Sequence, residues 1–187
     1  MTGVATSRSL QKVKVHIDKN FLKNRDAPVF YGEDVKLALY KVLDNNSTLK
    51  ELSLENLILG RTELAGIESG LTQNSTLTHL AIPGSLLDWS GLSKFLEFTG
   101  LNESLKELDI SGSRATLESV EATPEETVWN VYASLEKSKG LTTLVAENWF
   151  WDYENESFSD SVSIHVMNAK TQLRKNLDKI TESEIIN

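Results

Sequence analysis

Apolar residues recur along the chain in the arrangement L-x-x-L-x-L, with mostly polar residues between them. The first positions of the second, third and fourth copies are 28 residues apart, and the two outer intervals are 39 and 36 residues. Alternation with period two inside each copy predicts a short strand with one buried side. The five copies are Leu10/Val13/Val15, Leu49/Leu52/Leu54, Leu77/Leu80/Ile82, Leu105/Leu108/Ile110 and Leu141/Leu144/Ala146.

A second apolar pattern, with helical spacing, lies between successive strands. In each interval apolar residues recur three or four positions apart, and the TPEE segment at 123–126 has the residues of a capping box. Strand, turn and helix are therefore predicted to alternate along the chain. The helical faces are Val35/Leu39/Val42/Leu43, Leu64/Ile67/Leu71, Leu92/Phe95/Leu96 and Val128/Val131/Leu135.

The phrase NSTLKELSL at 46–54 returns as NSTLTHLAI at 74–82. Together with the five strand motifs, it resembles the leucine-rich repeat family, and specifically the ribonuclease-inhibitor-like subclass, whose helix-containing repeat has about 28 residues. The resemblance covers residues 10–151. It implies an α/β fold, a right-handed leucine-rich-repeat solenoid of about five repeats with parallel strands on the concave face and helices on the convex face.

A single leucine-rich-repeat domain is expected over residues 1–187, with 1–9 as an N-terminal cap, 10–151 as the repeats and 152–187 as a C-terminal cap. An apolar stripe in the last segment predicts a capping helix. The SVSIHV segment also alternates with period two, so a sixth strand followed by a shorter helix stays open, as does a helix that docks a partner. The stripe comprises Val162, Val166, Ala169, Leu173, Leu177 and Ile180.

The chain departs from the family pattern just after each strand. The family places Asn at the ninth position of the motif, where its amide satisfies main-chain groups in the turn. Here that position holds Asp18, Leu57, Ser85, Ser113 and Trp149. Either the turns are shifted in register, or other groups make those hydrogen bonds.

The third, fifth and seventh positions of each strand motif should point away from the core and line the concave face. Neighbouring parallel strands lie about 4.8 Å apart, so equivalent residues form rows, and one row places His79 between Glu51 and Glu107. We interpret the rows as a docking surface for a protein, the alternative being a solvated face whose charges only keep the sheet soluble. The candidate binding residues on them are Lys12, Lys14, His16, Glu51, Ser53, Glu55, His79, Glu107, Asp109, Thr143, Val145 and Glu147.

The aromatic segment ENWFWDYE at 147–154 adds two further candidates. Trp149 and Trp151 continue the repeat count, which favours burial over the open end of the core. Phe150 and Tyr153 are then the residues expected to contact the partner.

Two insertions, at 18–34 and 111–126, fall between a strand and its following helix. Both should therefore emerge along the same edge of the solenoid. Insertions on one face of a repeat protein often mark a binding edge, although simple loop growth is the alternative.

Charge is unevenly distributed along the chain. The net charge of −8 divides into +4 for residues 1–50, −13 for 51–160 and +1 for 161–187. An acidic middle repels nucleic acid and anionic membranes, so neither is expected as a partner. We expect a monomer that binds a protein partner with a basic patch.

The sequence does not indicate catalysis. It has no cysteine, no Gly-rich phosphate loop and no G-x-S-x-G or H-E-x-x-H motif, so we expect neither enzyme activity nor a cofactor or metal site. The chain is interpreted as a noncatalytic protein–protein interaction module, or scaffold, acting through the concave face. The alternatives are a leucine-rich-repeat bacterial effector acting on a host protein, a GTPase-activating protein using Arg61 or Arg114, and an actin-regulatory protein.

A cytoplasmic location is expected, or the host cytosol for the effector alternative. No apolar run approaches the roughly 18 residues of a membrane span, and the first ten residues lack the apolar region of a signal peptide. The N-x-S/T sequons are therefore interpreted as by-products of the repeated phrase. They begin at Asn45, Asn46, Asn74, Asn102 and Asn155.

Overall fold

The structure is a computed structural model that describes residues 9–16, 32–116, 133–146 and 171–178 except 173 and 177. Residues 133–136 and the described part of 171–178 are helical. Helical segments lie between successive L-x-x-L-x-L strands, as the apolar pattern predicts. The other strands and helices are β1 (Lys12–His16), α1 (Glu33–Asp44), β2 (Glu51–Glu55), β3 (Ile58–Leu59), α2 (Arg61–Gln73), β4 (His79–Ala81), β5 (Leu86–Asp88), α3 (Trp89–Leu101), β6 (Glu107–Asp109), β7 (Arg114–Thr116) and β8 (Thr143–Val145).

The main sheet has five parallel strands in the order β1-β2-β4-β6-β8. Each strand comes from one L-x-x-L-x-L segment, and the middle apolar residues pair in one continuous row across the sheet. The prediction that the five segments lie side by side in one parallel sheet is confirmed. The row is Val13, Leu52, Leu80, Leu108 and Leu144.

The hydrophobic core lies between this sheet and the helices. Inward-facing strand residues form one buried cluster with residues of the predicted helical faces, which are Leu39, Val42 and Leu43 of α1, Leu64, Ile67 and Leu71 of α2, and Phe95 and Leu96 of α3. Val35 of α1 is partly buried against this cluster. In the described structure, each of the two edge strands has a neighbouring strand on one side only. Their inward-facing residues are therefore only partly buried; they are Val13, Val15, Leu144 and Ala146. Leu135 is fully buried in its helical segment, whereas Val128, Val131 and the TPEE segment lie outside the described residues.

A second sheet, which the sequence analysis did not predict, follows the main one. Its parallel strands have the order β3-β5-β7. Ile58 pairs with Leu86 and Leu86 with Arg114, so the 28-residue spacing persists beyond the strand motifs. Each of the three central repeats therefore contributes two strands in the described part of the chain.

Adjacent helices approach most closely where α2 carries glycine. A Cβ atom added to Gly66 would lie 2.6 Å from the main-chain oxygen of Lys36, and one added to Gly70 would lie 2.6 Å from Cβ of Leu43. Both contacts are with α1, four residues apart on one face of α2. The absence of side chains at these two positions sets the distance between the two helices.

A residue with left-handed backbone conformation follows three of the main strands at the 28-residue spacing. Asn56, Gly84 and Gly112 have φ of 56°, 65° and 62°. Asn tolerates this conformation better than other residues with a Cβ atom, and Gly adopts it without cost. The turns are therefore in the same register in all three copies.

Serine hydroxyls replace the family asparagine at the ninth position. The main-chain N–H of Leu57 donates to Oγ of Ser85 at 3.2 Å, and that of Ser85 donates to Oγ of Ser113 at 3.3 Å. The Ser113 hydroxyl in turn donates to the Ile82 carbonyl at 2.8 Å. The sequence left open whether the turns are shifted in register or whether other groups make these hydrogen bonds. For these turns the second possibility is confirmed.

Asparagines at the C-terminal ends of the helices form a further repeated motif. Asn74 accepts hydrogen bonds from the N–H groups of Thr76 and Leu77, and Asn102 accepts them in the same way from Ser104 and Leu105. The amide of Asn102 also donates to the carbonyl of Asn74 at 2.9 Å. These sequon asparagines are thus committed to main-chain contacts, which agrees with their interpretation as part of the repeated phrase.

Candidate functional site: the open face of the main sheet

The open face is the side of the main sheet opposite the helices. It is formed by side chains that alternate with the buried leucines along each strand, and all of those described are exposed or partly buried. Of the predicted binding residues, Glu147, Phe150 and Tyr153 lie outside the described part of the chain, as do Trp149 and Trp151. The described members are Lys12, Lys14, His16, Glu51, Ser53, Glu55, His79, Ala81, Glu107, Asp109, Thr143 and Val145.

The first row of the open face crosses all five strands. Lys12 pairs with Glu51, Glu51 with His79, His79 with Glu107 and Glu107 with Thr143. The predicted position of His79 between two glutamates is therefore confirmed. Nε2 of His79 lies 3.9 Å from a carboxylate oxygen of Glu107, and Nζ of Lys12 forms an ion pair with Glu51.

A denser polar cluster lies at the C-terminal ends of β1 and β2. Nζ of Lys14 is 2.6 Å from Oε1 of Glu55, and Nδ1 of His16 is 3.3 Å from Oε2 of the same carboxylate. The hydroxyl of Ser53 donates to Glu55 at 3.2 Å. Nδ2 of Asn56 lies 3.2 Å from Nδ1 of His16, so the left-handed turn residue joins the cluster.

Asn56 is a member of this cluster that was not among the residues predicted from the sequence. The available signals were its position one residue before the ninth position of the motif and its alignment with Gly84 and Gly112. An asparagine where the other copies have glycine retains a side chain that can contact the end of the neighbouring strand.

The lysines of β1 lower the pKa values of the glutamates that they contact. For Glu51 the main cause is the hydrogen bond from Lys12, and the Coulombic interactions with Lys12 and His79 lower its pKa further, against partial desolvation. For Glu55 the main cause is the hydrogen bond from Lys14, and Ser53 and His16 contribute. Both carboxylates are therefore held in the ionised form.

These ion pairs determine how charge is distributed on the open face. Lys12 and Lys14 do not form a free positive surface, because they are paired with the acidic residues of the adjacent strand. On β6, Asp109 accepts a hydrogen bond from the N–H of Ser111 at 2.8 Å. With two lysines against four carboxylates, the described open face has a formal charge of −2, and the excess lies at Glu107 and Asp109.

Little of the proposed insertion edge lies within the described residues. At the end of the first insertion the N–H of Gly32 donates to the carboxylate of Glu63 at 2.6 Å, and Glu63 is almost completely buried. Of the second insertion, only residues 111–116, which include β7, are described. The two central arginines lie on this side of the repeats, Arg61 exposed at the first position of α2 and Arg114 in β7.

In the described ranges, no group of three or more acidic or histidine side chains is arranged to hold a metal ion. None of the helices in those ranges is long and apolar enough to cross a membrane.

Comparison with protein-family models and with curated protein sequences gives no match. Among solved structures, the chain is similar over its whole length to a tropomodulin C-terminal domain from Caenorhabditis elegans, with a TM-score of 0.66 and 13% identity over 98% of that chain. It is likewise similar to actin-binding site 2 of leiomodin-1, with a TM-score of 0.67 and 15% identity over 95% of that chain. Both neighbours have a leucine-rich-repeat-like fold, and the present chain shares it. The assignment to the ribonuclease-inhibitor-like subclass stays a prediction.

Proposed function

We propose that the chain is a noncatalytic protein-binding module of the actin-regulatory kind. The observation that carries the proposal is the full-length similarity to actin-binding site 2 of leiomodin-1, at a TM-score of 0.67. Of the alternatives that the sequence left open, this is the one that a similar structure favours. Neither neighbour favours a bacterial effector or a GTPase-activating protein.

The proposed binding surface is the open face. It is wide, since five parallel strands place equivalent side chains side by side, and its side chains are accessible to a partner. The opposite side of the sheet packs against the hydrophobic core, so the open face is the side that a partner can contact. In a solenoid of about five ribonuclease-inhibitor-like repeats this side is concave, and such a surface is commonly used for binding.

The partner proposed for this face has a basic patch. The excess of negative charge on the described open face lies at Glu107 and Asp109, next to the uncharged side chains of Thr143 and Val145. Complementary charge increases the rate of association and sets orientation more than it increases affinity. The charged contact is therefore expected at β6, with apolar and hydroxyl contacts at β8.

The remaining features of the proposal concern the molecule as a whole. We propose a cytoplasmic monomer in which residues 152–187 form a C-terminal cap on the last repeat. A monomeric module leaves the whole open face available to the partner. Its role is to hold or position that partner, as a scaffold does, without chemical change.

The test is co-sedimentation with filamentous actin together with a binding titration against monomeric actin. A Glu107→Lys/Asp109→Lys double variant changes the net charge by +4 on the open face. A Glu97→Lys/Glu103→Lys double variant makes the same charge change at exposed positions away from that face. We expect wild type and the second variant to bind alike, and the first variant to bind at least about 10-fold more weakly.

The possible failures separate the two parts of the proposal. If the wild type binds neither form of actin, the actin-regulatory function is wrong. If the wild type binds and both double variants weaken binding equally, only bulk charge matters and the open face is not the contact surface.

A further inference from the structure

Carbonyl groups at the ends of the helices are satisfied by the next repeat. The carbonyl of Asn46 accepts from the amide of Asn74 at 3.2 Å, and that of Leu49 accepts from the hydroxyl of Thr76 at 3.1 Å. One repeat later, the carbonyl of Asn74 accepts from the amide of Asn102 and from the hydroxyl of Ser104. Each repeat thus depends on side chains of its successor.

At the last strand motif the equivalent main-chain carbonyls accept hydrogen bonds from a residue that does not belong to a following strand motif. Ser138 and Leu141 occupy the places of Asn46 and Leu49, three residues apart and just before a strand of the main sheet. The amide of Asn176 donates to the Ser138 carbonyl at 3.0 Å and to the Leu141 carbonyl at 2.7 Å. Asn176 belongs to the helical segment 171–178, not to another strand motif.

The side-chain amide of Gln172, in the same helical segment, supports the amide of Asn176. Nε2 of Gln172 donates to the Ser138 carbonyl at 3.1 Å and to Oδ1 of Asn176 at 3.0 Å, one helical turn away. Asn176 is 2% exposed, so the amide is almost completely removed from water. Its donor groups satisfy buried carbonyls that would otherwise carry an unpaired desolvation cost.

We propose that Asn176 and Gln172 form a latch that takes the place of a further repeat and holds the last strand of the sheet in register. The latch binds the Leu141 carbonyl, two residues before β8 begins. β8 carries Thr143 and Val145 of the open face and pairs with Glu107 and Asp109 of β6. Opening of the latch therefore loosens one side of the open face while the central strands stay ordered.

The consequence for partner binding rests on the proposed function, whereas the latch itself does not. Hydrogen exchange measured on the full chain tests the latch directly. The reporting amides are Thr143, which donates to the Lys106 carbonyl, and Ile110, which donates to the Val145 carbonyl. The amide of His79, which donates to the Lys50 carbonyl between β2 and β4, is the internal control.

The decisive variant is Asn176→Asp, which keeps the size of the side chain and removes its donor. We expect exchange at Thr143 and Ile110 to become at least about 10-fold faster, and exchange at His79 to change by less than about 2-fold. Gln172→Ala removes the weaker half of the latch and should accelerate exchange at the same two amides by about 3-fold. If the Asn176 variant does not fold, the exchange rates of the Gln172 variant test the latch instead.

Two results would overturn the latch. One is unchanged exchange at Thr143 and Ile110 in both variants, and the other is an equal acceleration at His79, which would mean that the segment only adds to global stability. If the latch opens as expected in a protein that does not bind actin, the proposed function fails and the latch stands. If the wild type binds actin and latch opening leaves its affinity unchanged, β8 is not part of the contact surface.

Discussion

The side-chain amide of Asn74 donates a hydrogen bond of 3.2 Å to the carbonyl of Asn46, the residue in the same place one repeat earlier. It also donates to the carbonyl of Leu43 at 2.7 Å, while Oδ1 accepts from two N–H groups of its own turn. One buried side chain therefore joins two repeats and closes a turn at the same time.

Replacing Asn74 by Ala should destabilise the protein strongly. The change leaves buried carbonyl and N–H groups without partners, and we expect a loss of about 3 kcal/mol in the free energy of unfolding. Urea denaturation measures it. Asn45→Ala is the matched control, because the exposed Asn45 amide makes a single hydrogen bond of 3.3 Å to the Lys41 carbonyl. Similar losses in both variants would contradict the role assigned to Asn74.

Gly84→Ala and Gly112→Ala separate backbone strain from steric contact. Both glycines have left-handed φ values, of 65° and 62°, and each substitution should cost about 1 kcal/mol for that reason. A Cβ atom on Gly84 would also lie 2.5 Å from Oδ1 of Asn56, whereas the nearest atom to one on Gly112 lies at 3.9 Å. We therefore expect the Gly84 variant to lose the larger amount of unfolding free energy in urea. Equal losses in the two variants would show that Asn56 moves aside freely, and a larger loss for the Gly112 variant would contradict the steric argument.

Gly66→Ala should force α1 and α2 apart. The added Cβ atom would lie 2.6 Å from the main-chain oxygen of Lys36, and a main-chain atom cannot move aside as a flexible side chain can. Overpacking of this kind costs about 1–3 kcal/mol, more than the helix propensity gained from alanine. Thermal unfolding should show a lower Tm for this variant. The control is Ser69→Ala on the exposed part of the same helix, which should leave Tm nearly unchanged.

Lys12→Met should raise the pKa of Glu51 towards its usual value of 4.5. Because the folded-state pKa of Glu51 is lowered, the pairing adds stability above about pH 4.5 and loses it as the pH falls through the folded value. NMR titration of the side-chain carboxyl groups measures the change. The pKa of Glu55 is the internal reference, since Lys14 and not Lys12 is its main partner. An unchanged Glu51 titration would show that the ion pair is not maintained in solution.

The main sheet could be predicted from the sequence because its signal is repeated. Each of Leu52, Leu80 and Leu108 is a weak indication alone, but their identical spacing allows only one register with all three in the core. The second sheet could not be predicted in the same way. Its strands have two or three residues, which is too short for an alternating pattern to appear.

The rows of the open face were predictable, and the contacts within them were not. Strand register places Lys14 in the same row as Ser53, yet its long side chain reaches diagonally to Glu55. Such choices depend on rotamers and competing partners, which sequence spacing does not specify. The hydrogen bonds of the serines at the ninth position could not be predicted either. The sequence shows Ser85 and Ser113, but not that each hydroxyl accepts a hydrogen bond from a main-chain N–H group of the preceding repeat.

The equivalence of Asn46, Asn74 and Asn102 has an evolutionary consequence. Blocks 46–73 and 74–101 begin with the same four residues and have their left-handed residue at the same offset. The carbonyl of the asparagine that begins each block accepts a hydrogen bond from the side-chain amide of the equivalent asparagine 28 residues later. A tandem duplication of either block would meet matching surfaces at both junctions, so a change in array length by 28 residues preserves the asparagine series.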